Sequence, residues 1–305
     1  MRVIPFRAMS ATSEVPAAFR NAAGERGPVR LVLDGFHDIR SRQRLVRYLV
    51  QADIHKRGAD TLLGNIWWVL DPLLQMLVYV VFLTILVSNR PEDYPLFVFA
   101  AILPWKWFSA SVTDATSSIV RNDQLIKQIQ FPKIVLPVAA TTAGIVSFAF
   151  GVIALVLLML FYRDRYSIFL LWIPVIAAVQ FVFTLAFSFL VAAGNVFFRD
   201  LNNVVGHVLR LWWFLSPGLY SIESLDKAGF LKDHPTLLTL FNLNPFAILF
   251  TAYRTVIYGT NGTPPTGPTS PDLQALVVLL LGSLVFLVFT TWVFKRLEPN
   301  FAKII

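Results

Sequence analysis

Apolar runs of about twenty residues recur along this chain, and that is the length a helix needs to cross roughly 30 Å of hydrocarbon. Backbone polar groups find no water there, so the spanning solutions are helices or closed barrels, and uninterrupted runs of this length favour helices. Composition agrees. The chain has 305 residues, 56% of them hydrophobic and only 14% charged, with a mean hydropathy of +0.64. Too few charges are present to clothe a soluble globule of this size.

The runs define six spans at about 66–88, 96–117, 138–161, 168–197, 204–222 and 273–294. The expected fold is an all-α integral membrane protein, with residues 66–294 as its transmembrane domain. Pro104 sits inside the second span and is expected to kink it, because proline removes a backbone donor. Between spans five and six the apolar pieces shorten to 237–243 and 246–258, separated by Asn244-Pro245. Pieces of that length at membrane depth read as re-entrant or interfacial helices.

Residues 1–38 read as a cytoplasmic tail without a signal-peptide run, and 295–305 as a second cytoplasmic tail. Residues 39–65 hold an amphipathic helix and a connector: Leu45, Val46, Leu49, Val50 and Ile54 recur at helical spacing against Arg40, Arg42, Arg44, Arg47, Lys56 and Arg57. Orientation follows from the cations. Of the 26 basic residues, 19 fall on one side of this topology and 6 on the other, with Lys106 inside a span. Basic residues accumulate on the cytoplasmic side, which places both termini inside.

Several activities are excluded by what is missing. With no cysteine there is no disulfide framework or thiolate chemistry. Proton- and ion-coupled carriers bury ionisable groups in their spans, yet spans three, four and six have none. The candidates elsewhere are Asp71, Lys106, Asp114, His207 and Arg210, most of them near a boundary. No Gly-Lys pair exists to build a phosphate-cradling loop, so nucleotide hydrolysis must belong to another subunit. His37, His55, His207 and His234 are far apart, and no metal site, H-E-x-x-H or G-x-S-x-G pattern occurs. The net charge of +8 lies beside the apolar runs, where anionic lipid attracts it, and no nucleic-acid motif accompanies it.

The order of short motifs is more specific than any one of them. Leu63-Gly64-Asn65-Ile66-Trp67 precedes Asp71-Pro72-Leu73, then Ile102-Leu103-Pro104-Trp105. Next come Ser117-Ser118-Ile119-Val120, Asn122, Leu125-Ile126, Phe131-Pro132 and Leu136-Pro137. Phe198-Arg199-Asp200-Leu201, Ser216-Pro217 with Tyr220, and Asn244-Pro245 with Tyr253-Arg254 complete the series. From about Leu63 onward the chain resembles the permeases of type-2 ABC exporters for polysaccharides, the family that exports O-antigen, teichoic acid, capsule or galactan.

That resemblance implies a homodimeric permease in a bacterial inner membrane, docked on two ATP-binding cassette subunits that hold the ATP and magnesium. This chain itself binds no cofactor, and the substrate is a glycan linked to a polyprenyl pyrophosphate. Asn122, Leu125, Ile126, Lys127, Phe131, Pro132 and Lys133 correspond to the coupling segment, which is otherwise an ordinary basic inner loop. Asn244, Pro245, Tyr253 and Arg254 correspond to an outer gate, although Asn-Pro is also a common helix start. Arg42, Arg44, Arg47, Lys56 and Arg57 lie on the family's interfacial helix, placed to meet a pyrophosphate or to anchor on anionic lipid. Aromatic faces let sugar rings slide, which makes Trp105, Trp107, Phe108, Trp212, Trp213 and Tyr220 a candidate glycan path; an interface belt is the other reading. Lys106 either faces that path or snorkels to an interface. Rival functions are a small-molecule (drug) exporter of the same class, a membrane glycosyltransferase and a structural scaffold.

Overall fold

A computed structural model describes residues 27–58, 63–86, 93–220, 243–259 and 267–304. Its elements are α1 (Pro28–Ser41), α2 (Gln43–Gly58), α3 (Trp67–Leu86), α4 (Tyr94–Arg121), α5 (Asp123–Gln128), α6 (Val135–Met159), α7 (Ile173–Phe197), α8 (Leu201–Leu215), α9 (Pro245–Ile257) and α10 (Leu273–Ile304). Short 3-10 turns lie at Gly64–Ile66, Arg163–Arg165 and Ile168–Trp172, and no strand occurs among the described residues. The all-helical expectation holds.

Five segments among the described residues are long and apolar enough to cross a membrane: Trp67–Ile85, Tyr94–Arg121, Val135–Met159, Ile168–Phe197 and Leu273–Ile304. The expected fifth span behaves differently. Helix α8 has 15 residues, about 22 Å at 1.5 Å per residue, and it stops where Ser216 turns extended ahead of Pro217. Residues 221–242, which include the rest of that span and the first short apolar piece, lie outside the described residues. The second short piece is α9, 13 residues long and capped by the Asn244 side chain, which accepts from the Phe246 N–H at 3.0 Å.

Helix α4 is the centre of the bundle. In its most apolar window 78% of residues are buried, against 6% for α3, which lies on the outside of the monomer. α4 packs against α3, α6, α7, α8 and α9, and it runs unbroken through Pro104, whose carbonyl accepts from Gln180 Nε2 at 2.8 Å. Helices associate in lipid without a hydrophobic driving force between them, so close packing depends on small residues. Gly144 and Gly151 on α6 provide that: a Cβ at Gly144 would lie 2.1 Å from Ser111 Oγ, and one at Gly151 would lie 2.3 Å from Leu103 Cδ1. Gly144→Val is therefore expected to cost about 1–3 kcal/mol through overpacking. Size-exclusion melting in detergent will show it as a lowered midpoint, and an unchanged midpoint argues against the tight α4–α6 approach.

The N-terminal helices differ from the reading of one amphipathic helix over 39–57. A helix already starts at Pro28, and Arg42 separates α1 from α2. α1 lies along the end of α10, with Leu31 and Gly35 turned inward, while Val29, Leu33 and Phe36 are exposed at 72%, 62% and 42%. α10 continues through Pro299 to Ile304, so the stretch after 294 extends the last span.

Two arginines fasten the opposite end of the bundle. Arg165 donates to Asp93 Oδ2 from Nε at 3.1 Å and Nη2 at 3.0 Å, and to the Tyr258 carbonyl from Nη1 at 3.0 Å. Arg254 donates to the carbonyls of Phe97, Pro217, Gly218 and Tyr220. Together they tie the start of α4 to α9 and to the turn after α8.

Candidate functional site

The polar face of α4 begins the site. Lys106, Ser109, Thr113 and Ser117 follow one another three or four residues apart, so they share one side of the helix. Ser109, Thr113 and Ser117 bond back to the carbonyls of Lys106, Ser109 and Thr113 at 3.3, 2.8 and 3.4 Å, which satisfies each hydroxyl locally. This face looks into a cleft of about 590 Å³ between α3, α4 and α8.

The cleft is amphipathic in a particular way. From α3 come Asp71, Gln75 and Tyr79; from α4, Trp105, Lys106, Ser109, Thr113 and Asp114; from α8, Arg210, Trp213 and Phe214. Trp105 and Trp213 lie 5.5 Å apart between ring centroids, and Tyr79 stacks on Trp213 at 5.8 Å. Lys106 forms an ion pair with Asp71, their side chains 27% and 62% exposed. A mid-span cation is costly alone, and α3 supplies its counter-charge. Arg210 reaches the same cleft from α8 with no hydrogen bond or ion pair among the described residues.

A second cavity of about 490 Å³ lies toward the Arg121 end of α4, lined among others by Asp53 and Lys56 of α2, Ser118, Arg121 and Asn122. Asp114 lines both cavities, and Arg121 Nη2 returns to it at 3.6 Å from Oδ1. The polar face of α4 thus runs from mid-helix to this second cavity.

The candidate residues divide by location. Trp105, Lys106 and Trp213 line the cleft. Trp107 faces a smaller cavity of about 150 Å³ beside Gly144 and Phe148. Phe108 is fully buried against Phe183, Phe187, Trp212 and Phe246. Trp212 donates its indole N–H to Asn244 Oδ1 at 3.1 Å, and Asn244 Nδ2 donates to Ser216 Oγ at 2.9 Å. Tyr220 is half-buried and its hydroxyl donates to the Phe214 carbonyl at 3.4 Å. On α9, Pro245 occupies the first turn, and Tyr253 and Arg254 are buried. Arg254 also stacks its guanidinium 3.7 Å from the Phe97 ring centroid.

Beyond the end of α4, α5 carries Leu125, Ile126 and Lys127, with Ile126 turned in and Lys127 exposed. Lys127 pairs with Asp123 at 3.2 Å, and that hydrogen bond together with the Gln124 N–H holds the exposed Asp123 carboxyl below its ordinary pKa. Asn122 Nδ2 donates to the Ser118 carbonyl at 2.7 Å. Phe131 is buried, Pro132 is partly buried, and the Lys133 N–H donates to the Glu298 carboxylate. Arg42, Arg44 and Arg47 are exposed; Lys56 lines the second cavity; the Arg57 side chain lies outside the described residues, as does His234. No group of three or more metal-ligating side chains occurs among the described residues.

Sequence reasoning missed three partnerships: Asp71 with Lys106, Arg165 with Asp93, and Lys295 with Asp38 and Glu298. A signal existed for the first, since opposite charges within two adjacent apolar runs seek each other.

No protein-family model matches the chain. It is 33% identical over 210 residues to an O-antigen export system permease protein of Myxococcus xanthus, covering 69% of this chain and 78% of that protein. Two O-antigen export system permease proteins of Klebsiella pneumoniae are 25% and 24% identical over 262 residues, which is 86% of this chain and 95% of each relative. The chain belongs to the O-antigen export permease family. Among the described residues, the cleft and the second cavity are polar openings into a largely apolar bundle.

Proposed function

We propose that this permease forms the channel through which an ATP-driven exporter moves lipid-linked polysaccharide across the inner membrane. It does so as a homodimer on two ATP-binding cassette subunits and performs no chemistry of its own. One observation supports this above all: a charged and aromatic cleft continues along the α4 polar face into a second cavity whose lining carries Asp53, Lys56, Asp114 and Arg121. A polymer of sugars needs such a surface, with apolar ring faces to slide on and polar groups that bind without locking it. The relatives' naming as O-antigen export permeases supports the same class of substrate.

In this reading the pyrophosphate of the carrier lipid meets Lys56 and Arg121 at the entrance, with Arg42, Arg44, Arg47 and Arg57 nearby attracting anionic headgroups. Val29, Leu33 and Phe36 of α1 add an apolar stripe at the same interface. The glycan then lies along Trp105, Lys106 and Trp213. ATP binding closes the partner subunits, α5 takes up their displacement, and the channel opens. α8 and α9, each too short to cross alone, form part of the path, and both termini stay cytoplasmic.

Proteoliposomes holding the permease with its cognate ATP-binding subunits should hydrolyse ATP and move labelled lipid-linked glycan to the far side. Vesicles with the permease alone should do neither. Transport of small amphiphiles but not of glycan by the complete complex overturns the polysaccharide reading.

A further inference from the structure

Below the membrane a short ion network joins three elements that are distant in sequence. Lys295 of α10 bonds Asp38 of α1 at 2.8 Å and also pairs with Glu298, one turn further along α10. The Glu298 carboxylate in turn accepts the backbone N–H of Lys133, which leads from the α5 segment into α6. These groups are largely shielded: the side chains of Glu298, Lys295 and Asp38 are 9%, 13% and 26% exposed. Shielding strengthens each attraction and makes loss of a partner expensive.

We infer that Glu298, held by Lys295 and Asp38, is a positioning residue that carries displacement of the α5 segment into the transmembrane bundle. The inference rests on the reading of residues 122–133 as the coupling segment. The connection runs through rigid parts. Phe131 belongs to one buried cluster with Phe294 and Phe301, so the segment is gripped by side-chain packing as well as by Glu298. α10 extends unbroken for 32 residues from that grip to its other end at Leu273. Along its length α10 packs on α7, the most extensive helix pair among the described residues, and α7 packs on α4, which forms the cleft wall. A push on the Lys133 backbone therefore reaches the cleft through two continuous helices.

The Asp38 end supplies the fixed point. Gly35 brings α1 close enough that a Cβ there would sit 2.7 Å from Thr291 Cγ2, so α1 is seated directly on α10 beside Lys295. The carboxylate of Glu298 also lies at the start of α6, where the positive end of the helix dipole favours a negative charge. A neutral acceptor could still take the Lys133 N–H, but it would release Lys295. The two roles of Glu298 can thus be separated by one substitution.

Glu298→Gln keeps an acceptor for Lys133 and removes the charge that holds Lys295. In nanodiscs with the cognate ATP-binding subunits, assembly and basal ATP hydrolysis should match wild type. Glycan exported per ATP consumed should fall about fivefold or more, within the range that single positions along a coupling path produce. Lys295→Met should act alike, and Lys295→Arg should retain coupling. An unchanged export-to-ATP ratio in Glu298→Gln overturns the inference, and so does loss of assembly in it, which would make the network merely structural. Lys127→Glu, on the exposed side of α5, tests the underlying reading separately: docking of the ATP-binding subunits unaffected by that variant removes the coupling segment itself, whatever Glu298 does.

Discussion

Arg254→Leu should abolish the properly folded permease, or lower its melting midpoint more than any other single change named here. The guanidinium is 6% exposed and satisfies carbonyls from Phe97, Pro217, Gly218 and Tyr220. Leaving a buried acceptor unpaired costs about 1–3 kcal/mol, and four lose their donor together. Leucine also forfeits the contact with the Phe97 ring. Arg254→Lys should be intermediate, because an ammonium is a point charge that cannot span four acceptors the way a planar fork does. Melting of purified protein in detergent, followed by size exclusion, reads the order Arg, Lys, Leu. Equal midpoints for all three would show that α9 is not braced by this side chain, and would leave it free to move on its own.

Lys106→Met should reduce export about tenfold while dimer assembly persists, since a charge-assisted hydrogen bond to substrate contributes roughly 1.5–3 kcal/mol. The ion pair with Asp71 complicates a single substitution, because Asp71 is left without its partner. The double variant Asp71→Asn/Lys106→Met resolves this. If Lys106 serves only to neutralise Asp71, the double variant recovers wild-type export. If it meets glycan hydroxyls or phosphate, export stays low although the structural lesion has been repaired. Measured transport of labelled lipid-linked glycan into proteoliposomes decides between the two.

Much of the architecture was legible before any coordinates. The long apolar runs became α3, α4, α6, α7 and α10 because length and hydropathy are local properties that lipid reads directly. The short piece after Asn244-Pro245 was legible for the same reason, and Asn244 caps α9, whereas residues 237–242 before it fall outside the described residues. The boundaries were less so. α1 begins about ten residues before the amphipathic stretch at 39–57, because Gly24, Gly27 and Pro28 read as turn residues although proline is also suited to the first turn of a helix. The end of α8 near Ser216 depended on a turn that Arg254 stabilises from 38 residues away in sequence.

The aromatic residues show where sequence reasoning stops. Trp105, Trp107 and Phe108 are neighbours in the chain, and nothing local distinguishes them. Helical geometry turns successive side chains by roughly 100°, so each faces a different neighbour. Trp105 reaches the cleft, Trp107 faces α6, and Phe108 is sealed among rings from α7, α8 and α9.

By itself the amino-acid order determined that this protein is a multi-pass helical membrane bundle, because the length and hydropathy of apolar runs are properties of composition along the chain. Only the tertiary structure decided which polar groups meet: Asp71 with Lys106, Arg254 with four carbonyls, Glu298 with Lys133 and Lys295. Those pairings join residues 34 or more positions apart, apart from the single-turn contact of Lys295 with Glu298, and depend on how helices rotate and settle against one another. A low-dielectric interior then makes each of them count, since a buried charge or carbonyl has no water to turn to.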